Sequence, residues 1–348
     1  MRKIKVLIID DSALVRDILA RGLVMDPEIE VVGTASDPYV ARDKIVRLKP
    51  DVLTLDVEMP KMDGVEFLRR LMPQYPLPVV MVSALTKKGA VITLAALDAG
   101  AVEVVAKPSA DIARGLNSML GELRAKVKIA ANTNVSAWKV NKKSPSRLVR
   151  AEGQALAEST DKVVAIGAST GGTQAIRRIL ESFPSTMPGV VVVQHMPVGF
   201  TRHFAESLNE ICAMEVMEAK TGDRVLPGRV LIAPGDCHMR VRRSGGVYLV
   251  NCQPGENVCG HCPSVEVLFQ SVAKYVGANA VGVMLTGMGS DGADGMVAMR
   301  RAGARTIAQD EATSVVFGMP KVAYERGGVD FLLPLNKISN TICGLLAG

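Results

Sequence analysis

Five residues in the first third of the chain carry side chains suited to phosphoryl-group chemistry. Each ends a short apolar run or follows one closely: Asp10, Asp11, Asp56, Ser83 and Lys107. Three carboxylates that meet at one place repel one another unless a cation lies among them, and an all-oxygen site suits a hard ion such as Mg²⁺. Asp56 could then attack a phosphoryl group whose charge Mg²⁺, Lys107 and Ser83 neutralise. Any one aspartate alone would more simply be a strand-end cap, but five suitable residues at such positions favour a phosphorylation site.

The apolar runs before these residues predict five β-strands separated by helix-length amphipathic segments. The predicted strands are 5–9, 30–33, 52–55, 79–82 and 102–106. Such alternation is typical of a doubly wound α/β domain with a five-stranded parallel sheet and helices on both faces. A helix with one apolar stripe, from Ile112 to Val127, ends the domain. Because ligands of these sheets bind at the carboxyl ends of the strands, we expect the five residues at one edge.

Residues 1–125 resemble the receiver domain of two-component response regulators. The shared motifs are I-D-D-S at 9–12, T-L-D-V-E-M-P at 54–60, M-D-G at 62–64, S-A at 83–84 and K-P at 107–108. The resemblance implies that Asp56 is the phosphoacceptor and that Ser83 and Lys107 sense the phosphate. It implies a set of Mg²⁺ ligands formed by Asp10, Asp11, Asp56 and the backbone carbonyl of Glu58. Many receivers have an aromatic residue where this chain has Val104, which affects their serine-plus-aromatic switch but not phosphorylation.

A second candidate site begins with G-A-S-T-G-G at 167–172. This segment contains G-x-S-x-G between a predicted strand, 163–166, and a helical pattern. Such a turn presents the Ser169 hydroxyl outward, while its glycines let the backbone bend and leave amide hydrogens free for an oxyanion. A Gly-rich turn of this kind could instead bind a dinucleotide phosphate, although G-x-G-x-x-G and the lysine of a Walker loop are absent.

A nucleophilic serine needs a base and an acid that orients the base. His195 follows the predicted strand 190–193 and is therefore expected at the same sheet edge as Ser169. The other histidines are predicted on the next helix, in a hairpin and between two cysteines: His203, His238 and His261. For the acid, the segment 286–295 offers Asp291 and Asp294 after another apolar strand. The order Ser, His, Asp differs from that of α/β-hydrolases and indicates a hydrolase of another topology.

Taken as a whole, the chain resembles the chemotaxis receptor methylesterases of CheB type, in which a linker joins a receiver to a glutamyl-methylesterase domain. The further motifs are Q-H-M-P at 194–197, I-A-P-G at 232–235, P-S-V at 263–265 and T-G-M-G-S-D-G at 286–292. The resemblance implies Ser169 as nucleophile, His195 as general base and Asp291 as orienting acid. It implies that the Met288 backbone amide contributes to the oxyanion hole, and it leaves Asp294 as a helix N-terminal acid.

The second half also alternates strands with helical patterns, so we expect a mainly parallel α/β hydrolytic domain. Its predicted strands are 163–166, 190–193, 229–233, 281–285 and 306–308. The net charge of +6 is concentrated in residues 126–150, which hold seven basic side chains and no acidic one. That polar window is typical of a solvated linker rather than a nucleic-acid-binding surface. The expected domains are a receiver at 1–125, a basic flexible linker at 126–158 and a methylesterase domain at 159–348.

Location and redox state follow from the apolar runs and the cysteines. No apolar run is long enough to span a membrane, and Asp10 and Asp11 interrupt the first one before a signal sequence would be complete, so we expect a cytoplasmic protein. Six cysteines, all at or after Cys212, are too few for a disulfide scaffold and indicate reduced thiols. Cys259 and Cys262 form a C-x-x-C pair, but the Pro, Gly and Asn-rich loop before them favours neither a redox motif nor a zinc site.

Two functions from different classes are consistent with these features. The first is a phosphorylation-activated esterase that removes methyl groups from glutamate methyl esters of chemoreceptors as methanol, to which the resemblance adds deamidation of receptor glutamines. The second is a non-catalytic, phosphorylation-dependent adaptor. Ser169, His195 and Asp291 favour the first. It implies chemoreceptors and a histidine kinase as partners, Mg²⁺ for phosphorylation and no cofactor for hydrolysis. The linker is short enough for the unphosphorylated receiver to cover the Ser169 site.

Overall fold

The computed structural model describes residues 2–84, 87–107, 112–133, 135 and 162–347. The chain divides into two compact units, Met1–Lys143 and Ser144–Gly348. Most of the predicted linker, 126–158, lies outside the described residues. None of the described helices combines the length and the apolar character needed to cross a membrane.

The described residues of the first unit form five strands and five helices. The strands are β1 Ile4–Ile9, β2 Ile29–Ala35, β3 Val52–Asp56, β4 Val79–Ala84 and β5 Glu103–Lys107. The helices are α1 Ala13–Leu23, α2 Pro38–Leu48, α3 Gly64–Gln74, α4 Lys87–Ala99 and α5 Ile112–Ala131. The strands lie in the order β2-β1-β3-β4-β5 and all neighbouring pairs are parallel. The predicted doubly wound five-stranded fold is confirmed.

Helix α5 continues past residue 125, where the linker was predicted to begin. Two of the basic side chains that suggested a linker are held by ion pairs. Lys126 lies 2.8 Å from Glu122 and 3.4 Å from Glu103, and Lys128 lies 2.9 Å from Asp26. Residues 126–131 therefore belong to α5. The window 126–150 contains no acidic residue, so its composition alone does not show the partners of these two lysines.

The second unit contains nine strands among its described residues. They are β6 Val163–Ala168, β7 Gly189–Gln194, β8 Glu215–Glu218, β9 Arg229–Ile232, β10 Cys237–Ser244, β11 Val247–Pro254, β12 Ala280–Met284, β13 Arg305–Gln309 and β14 Phe331–Leu333. Its helices are α6 Gly172–Leu180, α7 Phe200–Asn209, α8 Val265–Tyr275, α9 Ala293–Arg301, α10 Met319–Glu325 and α11 Leu335–Ala347.

Seven of these strands form one parallel sheet in the order β14-β13-β12-β6-β7-β9-β8. Strands β6, β7 and β12 are buried along their whole length, as expected for central strands covered on both faces. The chain leaves β6 toward β7 on one side and returns to β12 on the other. Such a reversal of strand order opens a crevice at the carboxyl edge. The sequence patterns do not predict β8 and β14, which are short and only partly buried.

Strands β10 and β11 form a separate antiparallel hairpin that packs on α8. Met239 and Val241 of the hairpin share a core cluster with Leu268 and Val272 of α8. The amide of Val241 also donates to the Ser271 hydroxyl at 2.9 Å. The hairpin therefore fixes α8, whose first turn reaches the carboxyl edge of the seven-stranded sheet.

The close approach of β6 to α8 gives a stability prediction. Gly167→Ala would place a Cβ 2.2 Å from Val265 Cγ1 and 3.1 Å from Phe269 Cζ, so strand and helix would have to separate. We expect a loss of about 1–3 kcal/mol in the free energy of unfolding. Gly344→Ala on α11 is the control, since a Cβ there meets nothing within 4 Å, and it should be neutral or slightly stabilising. Urea unfolding of the full chain measures both, and equal midpoints for the two variants would contradict the packing argument.

Candidate functional sites

Three carboxylates converge at the carboxyl ends of β1 and β3. One oxygen from each of Asp10, Asp11 and Asp56 lies within 4.8 Å of the others. Asp10 and Asp56 are buried, whereas Asp11 is exposed. Negative charges at this separation repel strongly where water is excluded. The predicted acidic cluster is therefore present, and its stability depends on positive charge nearby.

Lys107 at the end of β5 supplies part of that charge. Its Nζ lies 2.9 Å from Oδ2 of Asp10 and 2.9 Å from Oδ2 of Asp56. Burial raises the pKa of Asp56 to about 6; Lys107 opposes this shift, and the charge of Asp10 adds to it. Burial also disfavours the charged form of Lys107, but its carboxylate partners outweigh that effect and raise its pKa. One lysine does not balance three carboxylates, and hard oxygen donors in this number fit a divalent cation.

Ser83 on β4 is buried and already has a hydrogen-bonding partner. The hydroxyl of Thr93, on α4, donates to Ser83 Oγ at 2.9 Å, and Thr93 is fully buried. Glu58 lies in the loop after β3 with an exposed side chain, and the role of its carbonyl as a metal ligand stays a prediction.

Ser169 follows the last residue of β6, on the turn that leads into α6. The Ser169 amide donates to the Thr286 carbonyl at 3.0 Å, and the Gly172 amide donates to the Ser169 carbonyl at 2.7 Å. Gly171 has φ of +76°, a left-handed conformation that a residue with a Cβ adopts only with strain. A Cβ at Gly171 would also lie 2.5 Å from Val315. The structure therefore requires glycine at position 171 of the predicted G-x-S-x-G turn.

His195 follows β7, and the register of the sheet brings it beside Ser169. Ala168 is paired with Gln194 across β6 and β7, so that the next residue on each strand is Ser169 and His195. The His195 amide donates to the Ala168 carbonyl at 3.2 Å. The Gln194 side chain ties the two turns together, since its Nε2 donates to the carbonyls of Ser169 and His195 at 2.9 and 3.1 Å.

Asp291 lies in the loop between β12 and α9 and holds the His195 ring. Its Oδ2 is 2.8 Å from His195 Nε2. Its carboxylate also accepts from the Ser264 hydroxyl at 2.7 Å and from the amides of Val265 and Glu266 at 2.7 and 3.0 Å. Burial alone would raise the pKa of Asp291, but the His195, Ser264 and Glu266 bonds outweigh it and hold that pKa below its usual range. Asp291 therefore stays ionised.

The bond from Asp291 assigns different tasks to the two ring nitrogens of His195. Nε2 faces a carboxylate and must carry a proton to donate to it. Nδ1 is buried and has no hydrogen-bond partner among the described residues. It is therefore the nitrogen that can accept a proton, and a buried unpartnered acceptor of this kind is unusual outside functional sites.

The loop around residues 286–292 contains the remaining predicted positions. The Met288 amide donates no hydrogen bond within the described part of the chain, and its side chain is 48% exposed. Asp294 lies in the first turn of α9 and forms an ion pair with Arg326 at 2.6 Å. It lies outside the Asp291 network, in agreement with the structural role predicted for it.

Comparison with known proteins identifies the family. A family model described as CheB methylesterase matches residues 164–342, and one described as response regulator receiver domain matches residues 6–134. The chain is 70% identical, over 99% of its length and 98% of the relative's, to a protein-glutamate methylesterase/protein-glutamine glutaminase of Syntrophotalea carbinolica. This chain belongs to the CheB methylesterase family. A relative of the same name in Salmonella typhimurium is 52% identical and covers 97% of this chain and 96% of its own.

A solved structure of the CheB family supports the fold of the second unit. The methylesterase catalytic domain of Thermotoga maritima CheB matches with a TM-score of 0.52 and 37% identity. The match covers 54% of this chain and all of that domain. The predicted resemblance to CheB-type proteins and the predicted mainly parallel α/β domain are both confirmed.

Several residues of the CheB-type site are not apparent from the sequence patterns. Ser264 is one of the donors to Asp291, and the buried Thr286 hydroxyl donates to the carbonyls of Thr170 and Val316 at 2.9 and 3.2 Å. Ser264 lies in the P-S-V motif and Thr286 in the T-G-M-G motif. The motifs do not indicate which groups these two hydroxyls contact. The ring of His261 stacks on that of His195 with centroids 3.6 Å apart.

The remaining histidines and the C-x-x-C cysteines have local roles. His203 contacts Glu206 on α7 at 2.9 Å, and the buried His238 accepts from the Ser264 amide and contacts the Glu256 carbonyl. Cys259 and Cys262 are free thiols. Burial and the neighbouring acidic side chains raise the pKa of the Cys259 thiol, which disfavours the reactive thiolate.

The raised pKa of Asp56 predicts the pH range in which added Mg²⁺ would stabilise the first unit. Because the folded-state pKa of about 6 exceeds the ordinary 3.8, protonation of Asp56 favours folding, and this contribution is lost as the pH rises through about 6. Mg²⁺ should therefore raise the receiver's thermal midpoint at pH 7.5, where Asp56 is ionised, and progressively less below pH 6. Calorimetry of the full chain with and without Mg²⁺ measures this. Asp11→Asn removes one predicted ligand and should remove most of the shift; equal shifts at pH 5 and 7.5 would contradict the argument.

Proposed function

We propose that this protein hydrolyses glutamate γ-methyl esters on chemoreceptors, releases methanol, and deamidates specific receptor glutamines. The observation that carries the proposal is the buried Asp291–His195 pair, whose free ring nitrogen lies at the strand end beside Ser169. The printed name of its relatives, protein-glutamate methylesterase/protein-glutamine glutaminase, gives the substrate class and both reactions. We propose that the protein acts in the cytoplasm.

In the proposed mechanism, Ser169 Oγ attacks the ester carbonyl carbon while His195 Nδ1 takes the hydroxyl proton. The carbonyl π electrons move to the oxygen, and amides near the Ser169 turn, including that of Met288, stabilise the resulting oxyanion. The imidazolium that forms is stabilised by ionised Asp291 through Nε2–H. The low pKa of Asp291 keeps that charge in place throughout the reaction.

Collapse of the tetrahedral intermediate breaks the carbon–methoxy bond, and the proton on Nδ1 moves to the leaving oxygen to give methanol. Water then attacks the Ser169 ester, with Nδ1 again as base, and releases the glutamate side chain and the serine hydroxyl. A glutamine substrate follows the same two steps with ammonia as the leaving group. No step requires a group from outside the chain except water.

We propose that phosphorylation of Asp56 in the receiver at 1–125 activates the methylesterase domain at 159–348. Because helix α5 extends to Ala131, we propose that the linker begins after that residue rather than at 126. Asp10, Asp11, Asp56 and the Glu58 carbonyl would hold Mg²⁺, which would neutralise phosphoryl oxygens. Lys107 and Ser83 would contact the phosphate, and the pathway's histidine kinase would supply the phosphoryl group. The support is the carboxylate cluster and the matching receiver family model.

Substitution of the proposed nucleophile tests the hydrolase. Ser169→Ala should lower kcat for methanol release from methylated receptor membranes by about 10³-fold or more, since only oxyanion and binding effects remain. His195→Ala should lose a similar factor, and the double variant should lose no more than either one. Ser182→Ala is the matched control, because Ser182 lies after α6 and donates to the Ile179 carbonyl. Wild-type methanol release by Ser169→Ala, or fully additive losses, would refute the proposed triad.

The phosphoacceptor is tested by Asp56→Asn, because an amide cannot form the acyl phosphate. Acetyl phosphate with Mg²⁺ should stimulate methanol release several-fold in the wild type and not at all in this variant. Asp51→Asn, at the opposite end of β3 and paired with Arg2, should respond like the wild type. Stimulation of Asp56→Asn would assign the acceptor to another residue. A chain without residues 1–145 should release methanol faster than the unphosphorylated full-length protein and should not respond to phosphodonor, because we propose that the unphosphorylated receiver inhibits. A well-folded truncated chain that is no more active would show that phosphorylation stimulates instead.

A further inference from the structure

The ring of His261 lies flat against the ring of His195. Their centroids are 3.6 Å apart and their planes are inclined by 14°. His195 comes from the end of β7, whereas His261 comes from the loop between β11 and α8. The side chain of His195 is only 7% exposed, so the stacked ring forms part of the wall around it.

The backbone of the loop fixes the place of His261. The amides of Val258 and His261 each donate to the other residue's carbonyl at 3.0 Å. Between them, Cys259 and Gly260 have φ of +52° and +84°. Two successive left-handed residues inside such a reciprocal pair are typical of a type I′ turn, a tight and well-defined connection. His261 is therefore presented from a rigid turn.

The same loop is anchored to the carboxylate that holds His195. Shortly after His261, Ser264 donates its hydroxyl to Asp291 Oδ1 at 2.7 Å. The Val265 amide donates to Oδ2, the oxygen that also faces His195 Nε2. Both stacked rings are thus positioned relative to one carboxylate.

We propose that His261 is a positioning residue for His195, an inference that rests on the proposed hydrolysis. One hydrogen bond, from Nε2 to Asp291, leaves an imidazole free to pivot about the bond and about its own side-chain torsions. A ring stacked on its face restricts that freedom and holds Nδ1 in one orientation at the strand end beside Ser169. It also excludes water from one face of the ring that becomes charged during attack. In this role His261 acts through His195 and exchanges no proton with the substrate.

The kinetic test uses the full-length protein with acetyl phosphate and Mg²⁺, and methanol release from methylated receptor membranes. His261→Ala should lower kcat about 10- to 100-fold with KM within about two-fold of the wild type, because a misplaced base slows the chemistry without weakening substrate binding. His261→Phe replaces one flat ring with another and should recover kcat to within about three-fold. His203→Ala is the control and should match the wild type.

A spectroscopic measurement separates positioning from general stability. The proton shared by His195 Nε2 and Asp291 should give a downfield NMR resonance in the wild type and in His261→Phe. That resonance should broaden or disappear in His261→Ala and should be absent in His195→Ala, which assigns it.

The possible outcomes distinguish this inference from the proposed function. Loss of methanol release in Ser169→Ala together with wild-type kcat in His261→Ala would refute positioning and leave the hydrolase intact. Equal losses in His261→Ala and His261→Phe, or an unchanged resonance in His261→Ala, would also refute it. Full activity in Ser169→Ala would instead refute the hydrolase.

Discussion

The Asp291 carboxylate is the group on which the hydrolytic site depends. It gathers four donors from the end of β7 and the start of α8: the His195 ring, the Ser264 hydroxyl and the amides of Val265 and Glu266. A buried charge is tolerated only when its lone pairs are occupied, and the first turn of a helix is a favourable place for a negative group. Strand β7, the loop after β12 and helix α8 are therefore held in one arrangement by a single side chain. The hairpin that packs on α8 belongs to the same arrangement, since it determines where those amides lie.

Each site has a buried carboxylate at the carboxyl edge of its own parallel sheet, but the two carboxylates differ in how their charge is stabilised. Asp291 has enough donors to stay ionised on its own, and its pKa is lowered. Asp56 shares Lys107 with Asp10, accepts from the Val57 amide, and has its pKa raised to about 6 by burial. The difference lies in the number of donors, because both groups are buried. Asp291 needs no further positive charge, whereas the acidic cluster around Asp56 has too few donors of its own and is suited to a divalent cation.

The sequence predicts those parts of the fold and site that follow from strand ends. Ser169, His195, Asp291 and the receiver residues each lie next to an apolar run, and parallel strands bring such positions to one edge. The contributions of His261, Ser264 and Thr286 depend on contacts across space that no local pattern encodes. Strands β8 and β14 are too short and too exposed to show a period. The continuation of α5 through Ala131 is hidden because Lys126 and Lys128 resemble linker charges, while their acidic partners include residues far away in the sequence.

The hydrogen bond from Thr93 to Ser83 links helix α4 to the residue proposed to sense the phosphate. Strand β5 has Val104 where many receivers have an aromatic residue, so a switch that couples the serine to an aromatic ring is not expected here. If a phosphoryl group on Asp56 were to draw Ser83 away from Thr93, the fully buried Thr93 hydroxyl would lose that bond at a cost of about 1–3 kcal/mol, unless α4 shifted to give it another partner. A change at the proposed phosphorylation site would then reach helix α4 rather than an aromatic side chain.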